Sequence, residues 1–392
     1  MAGIETLETL VVEEFGAYVG KHSQRLRVTV NGQTRSEIPL ITLRQVMVKS
    51  RGVSVSSDAV MACAERGIPI HFVSGVGLSA GAALYTAALA GTVKTRRCQL
   101  TAYDDRRGAV LAAAFARAKL ANQAGLLKYL ARNRKQSEPQ ISADLRAAAR
   151  EVGDHLSELD DLIARVLGPG PRPQAGADTD TDTDTETPSP APANGAGRSP
   201  AGRSPAVASP VGIEQWRSAL LSIEGRAAKR YWEGIGLVVP DDLGWPGRRG
   251  RGARDPLNSA LNYGYAILLR QVEHAVVCAG LDPFAGFIHA DRPGKPSLTL
   301  DLIEEFRQAV VDRVILGMVG NRAPLTVLDN GFLDDATRRE LAAKVIARIE
   351  ASAERYESRK HSLREIIQMQ ARHIATFVRG DNPSYQGFVA KW

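Results

Sequence analysis

The stretch GFIHADRPGKPSLTLDLIEEFR, residues 286–307, organises the predictions for the whole chain, because it places one histidine upstream of a helix that carries several carboxylates. After His289 comes a loop whose prolines and glycine exclude regular helix. A helix is predicted from about Ser297, because its hydroxyl can cap free backbone amides. At about 100° per residue, three acids fall on one side of this helix and the large apolar residues on the other. The acids are Asp301, Glu304 and Glu305. A histidine with clustered carboxylates suits Mg²⁺ or Mn²⁺.

The same pattern has a plainer interpretation, because an acidic face opposite an apolar face is typical of any solvated amphipathic helix. Periodicity alone favours that interpretation. The loop favours the metal site, since Lys295 lies between a glycine and a proline and is well placed to meet a phosphate. From these residues alone, both interpretations stay open.

The composition is that of an ordinary globular protein. With 392 residues, of which 44% are hydrophobic and 24% charged, the chain has room for two or three domains. No apolar run approaches the roughly 18 to 20 residues that span a bilayer, and the start MAGIETLETL is not a signal peptide. The sequence therefore predicts a soluble cytoplasmic protein without a membrane partner. Its three cysteines form no CxxC pair, which argues against a disulfide framework, a zinc finger and an iron–sulfur cluster.

Charge is distributed unevenly along the chain. The formal net charge is +7, and the sequence pI is near 9.4. Residues 171–205 hold five acids against three arginines, so they carry −2 and the rest of the chain carries +9. A folded part that basic suits a polyanionic partner, although housekeeping enzymes can also be basic.

The order of patterns along the chain predicts an α+β fold, with a β-rich N-terminal domain followed by a larger all-α domain. Alternating apolar residues from Leu26 to Val30 lead into Asn31-Gly32, a dipeptide typical of two-residue hairpins. Further along, the apolar spacing becomes helical. A low-complexity segment with almost no large apolar residues is predicted to be disordered. The predicted units are 1–92 (β-rich), 93–167 (first helices), 168–210 (disordered acidic insert) and 211–392 (remaining helices).

Two polar residues receive structural interpretations. His71 points opposite the apolar residues of its predicted strand, so it is expected at the surface or as a satisfied polar residue. Lys119 belongs to the basic residues of the helix predicted over 106–134, which are most simply a solvated helical face. A nucleic-acid groove is the less favoured alternative for that face.

Aromatic residues of the second half are also interpreted structurally. Tyr263 and Tyr265 lie on a hydrophobic helix and are expected at the edge of the core rather than in catalysis. The aromatic tail formed by Tyr385, Phe388 and Trp392 is expected to dock on the helical domain.

Glu224 lies at the edge of the apolar stripe on the helix that begins near Ile213. A carboxylate in that position is partly desolvated and needs a partner. The neighbouring Gly225 costs a helix about 1 kcal/mol relative to alanine, which is explained if another group approaches the backbone closely. The alternative is a buried ion pair of Glu224 with Arg226 or Arg230, and the residues themselves favour neither interpretation.

The loop WPGRRGRGARDPLN, residues 245–258, interleaves arginines with glycines. Guanidinium groups on a flexible backbone suit phosphate binding, although such loops are often merely solvated. The predicted phosphate contacts are Arg248, Arg249, Arg251, Lys295 and Arg307.

Several segments resemble, in the same order, motifs of the CRISPR-associated endonuclease family, whose members act as integrases that acquire new spacers. They are IEGRAAKRYW (223–232), DPLNSALNYGYAILL (255–269), GLDPFAGFIHADRPGKPSLTLDLIEEFR (280–307) and the tail SYQGFVAKW (384–392). The N-terminal region is similar to the β-domain of that family. The resemblance covers nearly the whole chain apart from residues 168–210.

The resemblance implies an α-helical catalytic domain with a divalent-metal site for Mg²⁺ or Mn²⁺. Carried over by motif, the metal ligands are Glu224, His289 and Glu304, and Asp301 is a supporting catalytic carboxylate. Some family members have Asp at the position of Glu304, and either residue can bind the ion. The resemblance also implies homodimerisation and a larger complex with a small ferredoxin-like adaptation protein.

The implied reaction is phosphoryl transfer on double-stranded DNA, in which the 3′-hydroxyl of a short spacer duplex attacks a phosphodiester of the CRISPR repeat array. Two other functions stay open. One is a metal-dependent nuclease that acts on branched DNA or RNA without integration, using the same residues. The other is a non-catalytic nucleic-acid-binding scaffold, in which the acids are a solvated face.

Overall fold

A computed structural model of the chain describes residues 9–73, 81–84, 92–168, 212–250, 252–351 and 353–392. Apart from Gly168, the predicted disordered insert lies outside the described residues, as does Arg251. The architecture is α+β, as predicted: a strand-rich N-terminal part precedes a larger helical part. None of the described helices is long and apolar enough to cross a lipid bilayer.

Over residues 9–73 and 81–84, the N-terminal part forms two four-stranded sheets and one helix. One sheet has the strand order β1-β5-β7-β8, and the other has the order β4-β3-β2-β6. The predicted hairpin joins β3 to β4, and its Asn31 and Gly32 have φ values of 51° and 77°. Two consecutive left-handed residues are what a type I′ turn requires. The elements are β1 Thr9–Val12, β2 Tyr18–His22, β3 Arg25–Val30, β4 Gln33–Pro39, β5 Gln45–Val48, β6 Ser54–Val55, α1 Ser57–Glu65, β7 Ile70–Val73 and β8 Gly81–Leu84.

His71 was expected at the surface or as a satisfied polar residue, and the surface alternative is wrong, because this side chain is completely buried in β7. Strand β7 contacts a helix of the second part, and the His71 ring lies edge-on to His274 with centroids 6.0 Å apart. Burial, with smaller contributions from His274 and nearby arginines, lowers the pKa of His71 to about 3. The alternating apolar pattern gives the wrong position here because a strand covered on both faces has no solvent side.

The second part is built mainly from helices. Helix α3 is central, and it packs against α4, α5 and the C-terminal tail. A two-stranded hairpin, which the sequence patterns do not predict, precedes the last helix. The elements are α2 Thr92–Ala102, α3 Arg106–Asn133, α4 Pro139–Leu167, α5 Arg217–Gly236, α6 Pro256–Cys278, α7 Ser297–Ile303, a π-helical segment Gln308–Asp312, α8 Arg313–Gly320, α9 Asp335–Ala351, β9 Glu354–Tyr356, β10 Arg359–His361 and α10 Leu363–Val378.

A chain of buried amides joins the two parts. The side-chain nitrogen of Gln271 on α6 donates to Gln45 Oε1 at 2.7 Å, and Gln45 Nε2 donates to Thr9 Oγ1 at 3.0 Å. Buried polar groups are stable only when they are hydrogen-bonded, so these two hydrogen bonds fix β1 and β5 against α6.

The aromatic tail docks on the helical part, as predicted. The ring of Phe388 stacks on Phe306 with centroids 5.1 Å apart. Asn122 of α3 donates to the carbonyl of Phe388 at 2.9 Å and accepts from the backbone amide of Ala390 at 2.8 Å. A helix side chain thus pairs the tail backbone as a neighbouring strand would, and the tail covers α3.

Gly125 of α3 allows the indole of Trp392 to approach the helix backbone. A Cβ atom at Gly125 would lie 2.1 Å from Trp392 Nε1. Gly125→Ala is therefore expected to lower the free energy of unfolding by about 1–2 kcal/mol through overpacking, although alanine is the better helix former. In a Trp392→Ala background the same change is expected to raise stability by up to about 1 kcal/mol. Urea denaturation of the wild type, the two single variants and the double variant measures both changes in the free energy of unfolding. A Gly125→Ala effect of the same sign with and without Trp392 would contradict the contact.

Candidate active site

Two carboxylates from different elements meet at one lysine. Helix α5 buries its apolar stripe against the core, which leaves Glu224 at the edge of that face with 21% of its side chain exposed. Glu304 lies in the turn that follows α7, and only 7% of its side chain is exposed. The ammonium of Lys119, from α3, donates to Glu224 Oε1 and lies 2.8 Å from Glu304 Oε2. The structure therefore brings together Glu224 and Glu304, which are 80 residues apart in sequence.

The prediction that Lys119 belongs to a solvated face is wrong, because the side chain is largely buried, with only 13% of it exposed. Burial alone would lower the pKa of Lys119, but the carboxylates of Glu304 and Glu224 outweigh it and raise the pKa. A signal was present in the sequence. Lys119 is followed at helical spacing by Asn122 and Gln123, which are also buried, so this stripe of α3 is polar and yet faces inward.

Strong positive charge surrounds Glu304. Burial would raise the pKa of Glu304, but Arg307, Lys119 and His289 act against burial and lower it to about 2. Arg307 lies 3.1 Å from Glu304 Oε1. On the other oxygen, Oε2 is buried and forms no hydrogen bond of ordinary geometry, although the Lys119 ammonium is close. Glu304 is therefore ionised, with one oxygen facing the Arg307 guanidinium and the other facing the Lys119 ammonium.

Asp301 fixes the loop that carries His289. Its carboxylate is completely buried and accepts hydrogen bonds from the backbone amides of Phe287 at 2.5 Å, Ile288 at 3.0 Å and His289 at 3.0 Å. The imidazole Nδ1 of His289 lies 2.7 Å from Asp301 Oδ1 and must be the donor, because an ionised carboxylate only accepts. Each carboxylate oxygen thus has two donors, and Nε2 is the nitrogen that His289 can offer to a ligand.

The solvated-face interpretation of the acidic helix is wrong. Asp301, Glu304 and Glu305 are 0%, 5% and 0% exposed. Glu305 accepts hydrogen bonds from the Tyr385 hydroxyl at 2.6 Å and the Phe388 amide at 2.8 Å. Burial raises the pKa of Glu305 to about 8, against the effect of these hydrogen bonds. Each acid therefore has its own inward environment: the histidine loop, Lys119 or the aromatic tail.

A second polar cluster adjoins the first through Arg307. The guanidinium of Arg307 lies 4.8 Å from the ring centroid of Tyr265. The hydroxyl groups of Tyr265 and Tyr231 both donate to the buried carboxylate of Asp312, the latter at 2.6 Å. Burial raises the pKa of Asp312 to about 6, while the two tyrosines and nearby arginines lower it. No role for Asp312 follows from the sequence patterns, and Tyr265 was expected at the edge of the core, yet both are fully buried.

The predicted phosphate contacts divide into two groups. Arg248 packs over the rings of Tyr265 and Trp232 at 5.5 and 5.7 Å and donates to Asn262 Oδ1 at 2.9 Å. Arg307 is likewise enclosed, and 19% of its side chain is exposed. Both guanidiniums are thus committed to contacts within the protein. Arg249 is exposed and Lys295 half-buried, so these two present charge to a ligand more readily.

The chemistry of the side chains around Lys119 suits a divalent cation, although their spacing does not. Among the residues that the structure describes, no three His, Cys, Asp or Glu side chains are grouped closely enough to hold a metal ion. The ammonium nevertheless marks a cation position between Glu224 and Glu304, and His289 is close enough to lower the pKa of Glu304. Carboxylate oxygens with one imidazole are the donor set that Mg²⁺ and Mn²⁺ accept.

Comparison with known proteins gives the family. The sequence profile described as "CRISPR associated protein Cas1" matches residues 10–167 and 203–372. The chain belongs to the Cas1 family. This finding confirms the resemblance that the motifs indicate. The Cas1 match includes Glu224, His289, Asp301 and Glu304, and it is interrupted over residues 168–202, within the predicted insert.

Individual Cas1 relatives extend over nearly the whole chain. "CRISPR-associated endonuclease Cas1 1" of Archaeoglobus fulgidus is 35% identical over 98% of this chain and 99% of its own length. Among solved structures, a casposase bound to integration product superposes with a TM-score of 0.70 at 17% identity, covering 97% of this chain and 92% of the casposase. A chain of a Cas6-RT-Cas1–Cas2 complex gives 0.65 at 19% identity, covering 99% of this chain and 37% of that one. Because these identities are only 17% and 19%, the two similarities establish the fold of this chain alone.

Proposed function

We propose that this chain is a metal-dependent DNA endonuclease and integrase that inserts short spacers into a CRISPR repeat array. The observation that carries the proposal is the convergence of Glu224 and Glu304 on one cation position beside His289. Relatives named as CRISPR-associated endonucleases and a casposase bound to integration product support the same chemistry. In the proposed reaction, the 3′-hydroxyl of a spacer duplex attacks a phosphodiester of the repeat.

Each residue of the candidate site has a distinct task in this reaction. Mg²⁺ or Mn²⁺ would be held by Glu224, Glu304 and His289 Nε2. Asp301 binds the Nδ1 side of the imidazole and so leaves Nε2 as the nitrogen that can bind the ion. A bound divalent ion neutralises charge on the transferring phosphate and assists departure of the leaving oxygen. Arg307, beside Glu304, adds fixed positive charge next to that phosphate.

The proposed partners follow from the same assignment. They are double-stranded DNA, as spacer precursor and as CRISPR repeat, a second copy of this chain, and a small ferredoxin-like adaptation protein. The similarity to a chain of a Cas6-RT-Cas1–Cas2 complex supports assembly with such a protein. The net charge of +7 supports a polyanionic partner.

The test is strand transfer of a labelled short duplex with free 3′-hydroxyls into a supercoiled plasmid that carries a CRISPR repeat. The reactions contain the small partner protein with Mn²⁺, Mg²⁺ or EDTA. Metal-dependent covalent joining is expected. Cleavage without joining would instead identify a structure-selective nuclease, and DNA binding with neither product would identify a scaffold.

Salt dependence tests which basic side chains contact phosphate. Arg249→Ala and Lys295→Ala are each expected to reduce the slope of log affinity against log salt concentration by about 1, because each contact releases about one counterion. Arg165→Ala removes an exposed arginine of α4 that lies outside the site and serves as the control with an unchanged slope. Fluorescence anisotropy with duplex DNA at several salt concentrations measures the slopes. Slopes equal to that of the wild type in both variants would remove Arg249 and Lys295 as contacts.

A further inference from the structure

Lys119 and the two carboxylates form a site that is electrically balanced without any bound ion. Glu224 and Glu304 contribute two negative charges, and Lys119 and Arg307 contribute two positive ones. Two carboxylates enclosed this closely repel each other unless a cation lies between them. The Lys119 ammonium provides that cation, at the position where a divalent ion would share oxygens of both acids.

We propose that Lys119 is a resident counter-cation that leaves the carboxylates when a divalent ion binds, and that its released ammonium then contacts a DNA phosphate. This inference rests on the function proposed above. An ammonium and a divalent cation cannot share the two carboxylate oxygens, because two positive centres at that separation repel strongly. Lys119 must therefore move for the ion to enter.

The chemistry of lysine suits this exchange better than that of arginine. An ammonium is a compact charge with three donors on a flexible four-carbon stem, so it can move without disturbing the helix that carries it. Arg307, by contrast, is held by the Tyr265 ring as well as by Glu304 and stays in place. With the ion bound and Lys119 displaced, the site has an excess of positive charge, which a phosphodiester offsets. Metal binding and DNA binding are thus coupled through Lys119, and each is expected to strengthen the other.

Metal affinity in the absence of DNA tests the exchange without measuring catalysis. Titration of the purified protein with Mn²⁺, followed by electron paramagnetic resonance, is expected to show tighter binding by Lys119→Met than by the wild type. The expected gain is about tenfold or more, because the variant lacks a positive charge that opposes the ion. Lys128→Met removes an exposed lysine of the same helix and should leave the affinity unchanged. Equal or weaker binding by Lys119→Met would overturn the proposal.

Amine labelling of the wild-type protein tests the same movement without a variant. In the absence of metal, Lys119 is expected to react slowly with an acetylating reagent, whereas the exposed Lys128 reacts fast. Saturating Mg²⁺ should raise the labelling of Lys119 several-fold, as read by mass spectrometry, and added duplex DNA should protect it again. Unchanged labelling of Lys119 at saturating Mg²⁺ would overturn the proposal.

Glu224→Gln separates failure of this inference from failure of the proposed function. If the wild type binds Mn²⁺ and Glu224→Gln weakens that binding, the metal site stands, and the behaviour of Lys119→Met decides the inference alone. If Mn²⁺ binding by the wild type is absent or independent of Glu224, both the metal site and the exchange at Lys119 are overturned.

Discussion

Glu224→Gln and His289→Ala are each expected to lower the rate of metal-dependent strand transfer by about 10²–10³-fold or more while the protein remains folded. Each change removes one donor from the proposed ion position, and the loss of one electrostatic contact to the transferring group typically has effects of this size. Glutamine preserves the shape of Glu224 and its ability to accept from Lys119, so the loss would reflect charge and ligation rather than packing. Alanine at Glu304 is expected to abolish transfer as well.

Glu233→Gln is the matched control, since Glu233 lies on the same helix with 49% of its side chain exposed and pairs with Arg230. Its rate of strand transfer should equal that of the wild type. Initial rates of joining at saturating Mn²⁺, together with circular dichroism of each variant, measure the effect. Joining at near wild-type rates by either Glu224→Gln or His289→Ala would overturn the assignment of the site.

Asp301→Ala is expected to give the largest loss of stability, about 4 kcal/mol or more in the free energy of unfolding. The buried carboxylate accepts from three consecutive backbone amides and from the His289 ring, and alanine would leave all of these donors without a partner. A buried donor that loses its acceptor costs about 1–3 kcal/mol. Strand transfer should fall as well, because the histidine loop loses its anchor.

Asp291→Ala provides the comparison, because Asp291 is exposed in the same loop and its carboxylate accepts a hydrogen bond from the Ser297 hydroxyl at 3.0 Å. Its stability is expected to fall by about 1 kcal/mol at most. Urea denaturation followed by circular dichroism measures both variants. A loss below about 1 kcal/mol for Asp301→Ala would show that the loop amides find other acceptors.

Patterns that depend on near neighbours in sequence predicted much of the fold. The Asn31-Gly32 turn and the apolar stripe that orients Glu224 depend on local propensity and helical spacing. The pairing of Glu224 with Glu304 at one position was indicated by the family resemblance and not by spacing, because no local pattern relates residues on separate elements.

The errors concern residues whose environment is set by distant parts of the chain. Lys119 looks like an ordinary surface lysine until α5 and the turn after α7 place carboxylates against it. Arg248 stays a predicted phosphate contact, but its packing on Trp232 and Tyr265 does not follow from the sequence of its loop. His71 is buried and not at the surface because helix α6 covers its strand. Each environment is tertiary, so propensity and periodicity carry no information about it.

The π-helical segment Gln308–Asp312 lets two residues that are five apart in sequence reach the same tyrosine. Arg307 and Asp312 both contact Tyr265, one on its ring and one at its hydroxyl. Residues five apart lie about 140° apart around an α-helix, whereas the wider π turn brings them towards the same side. Relaxation of this segment to ordinary α-helical winding at unchanged length would rotate Asp312 away from the tyrosine. In evolutionary terms, a one-residue deletion within the segment leaves Arg307 and Asp312 four positions apart, about 40° apart around an α-helix, so a lineage that loses the wide turn in this way keeps both residues on the same side.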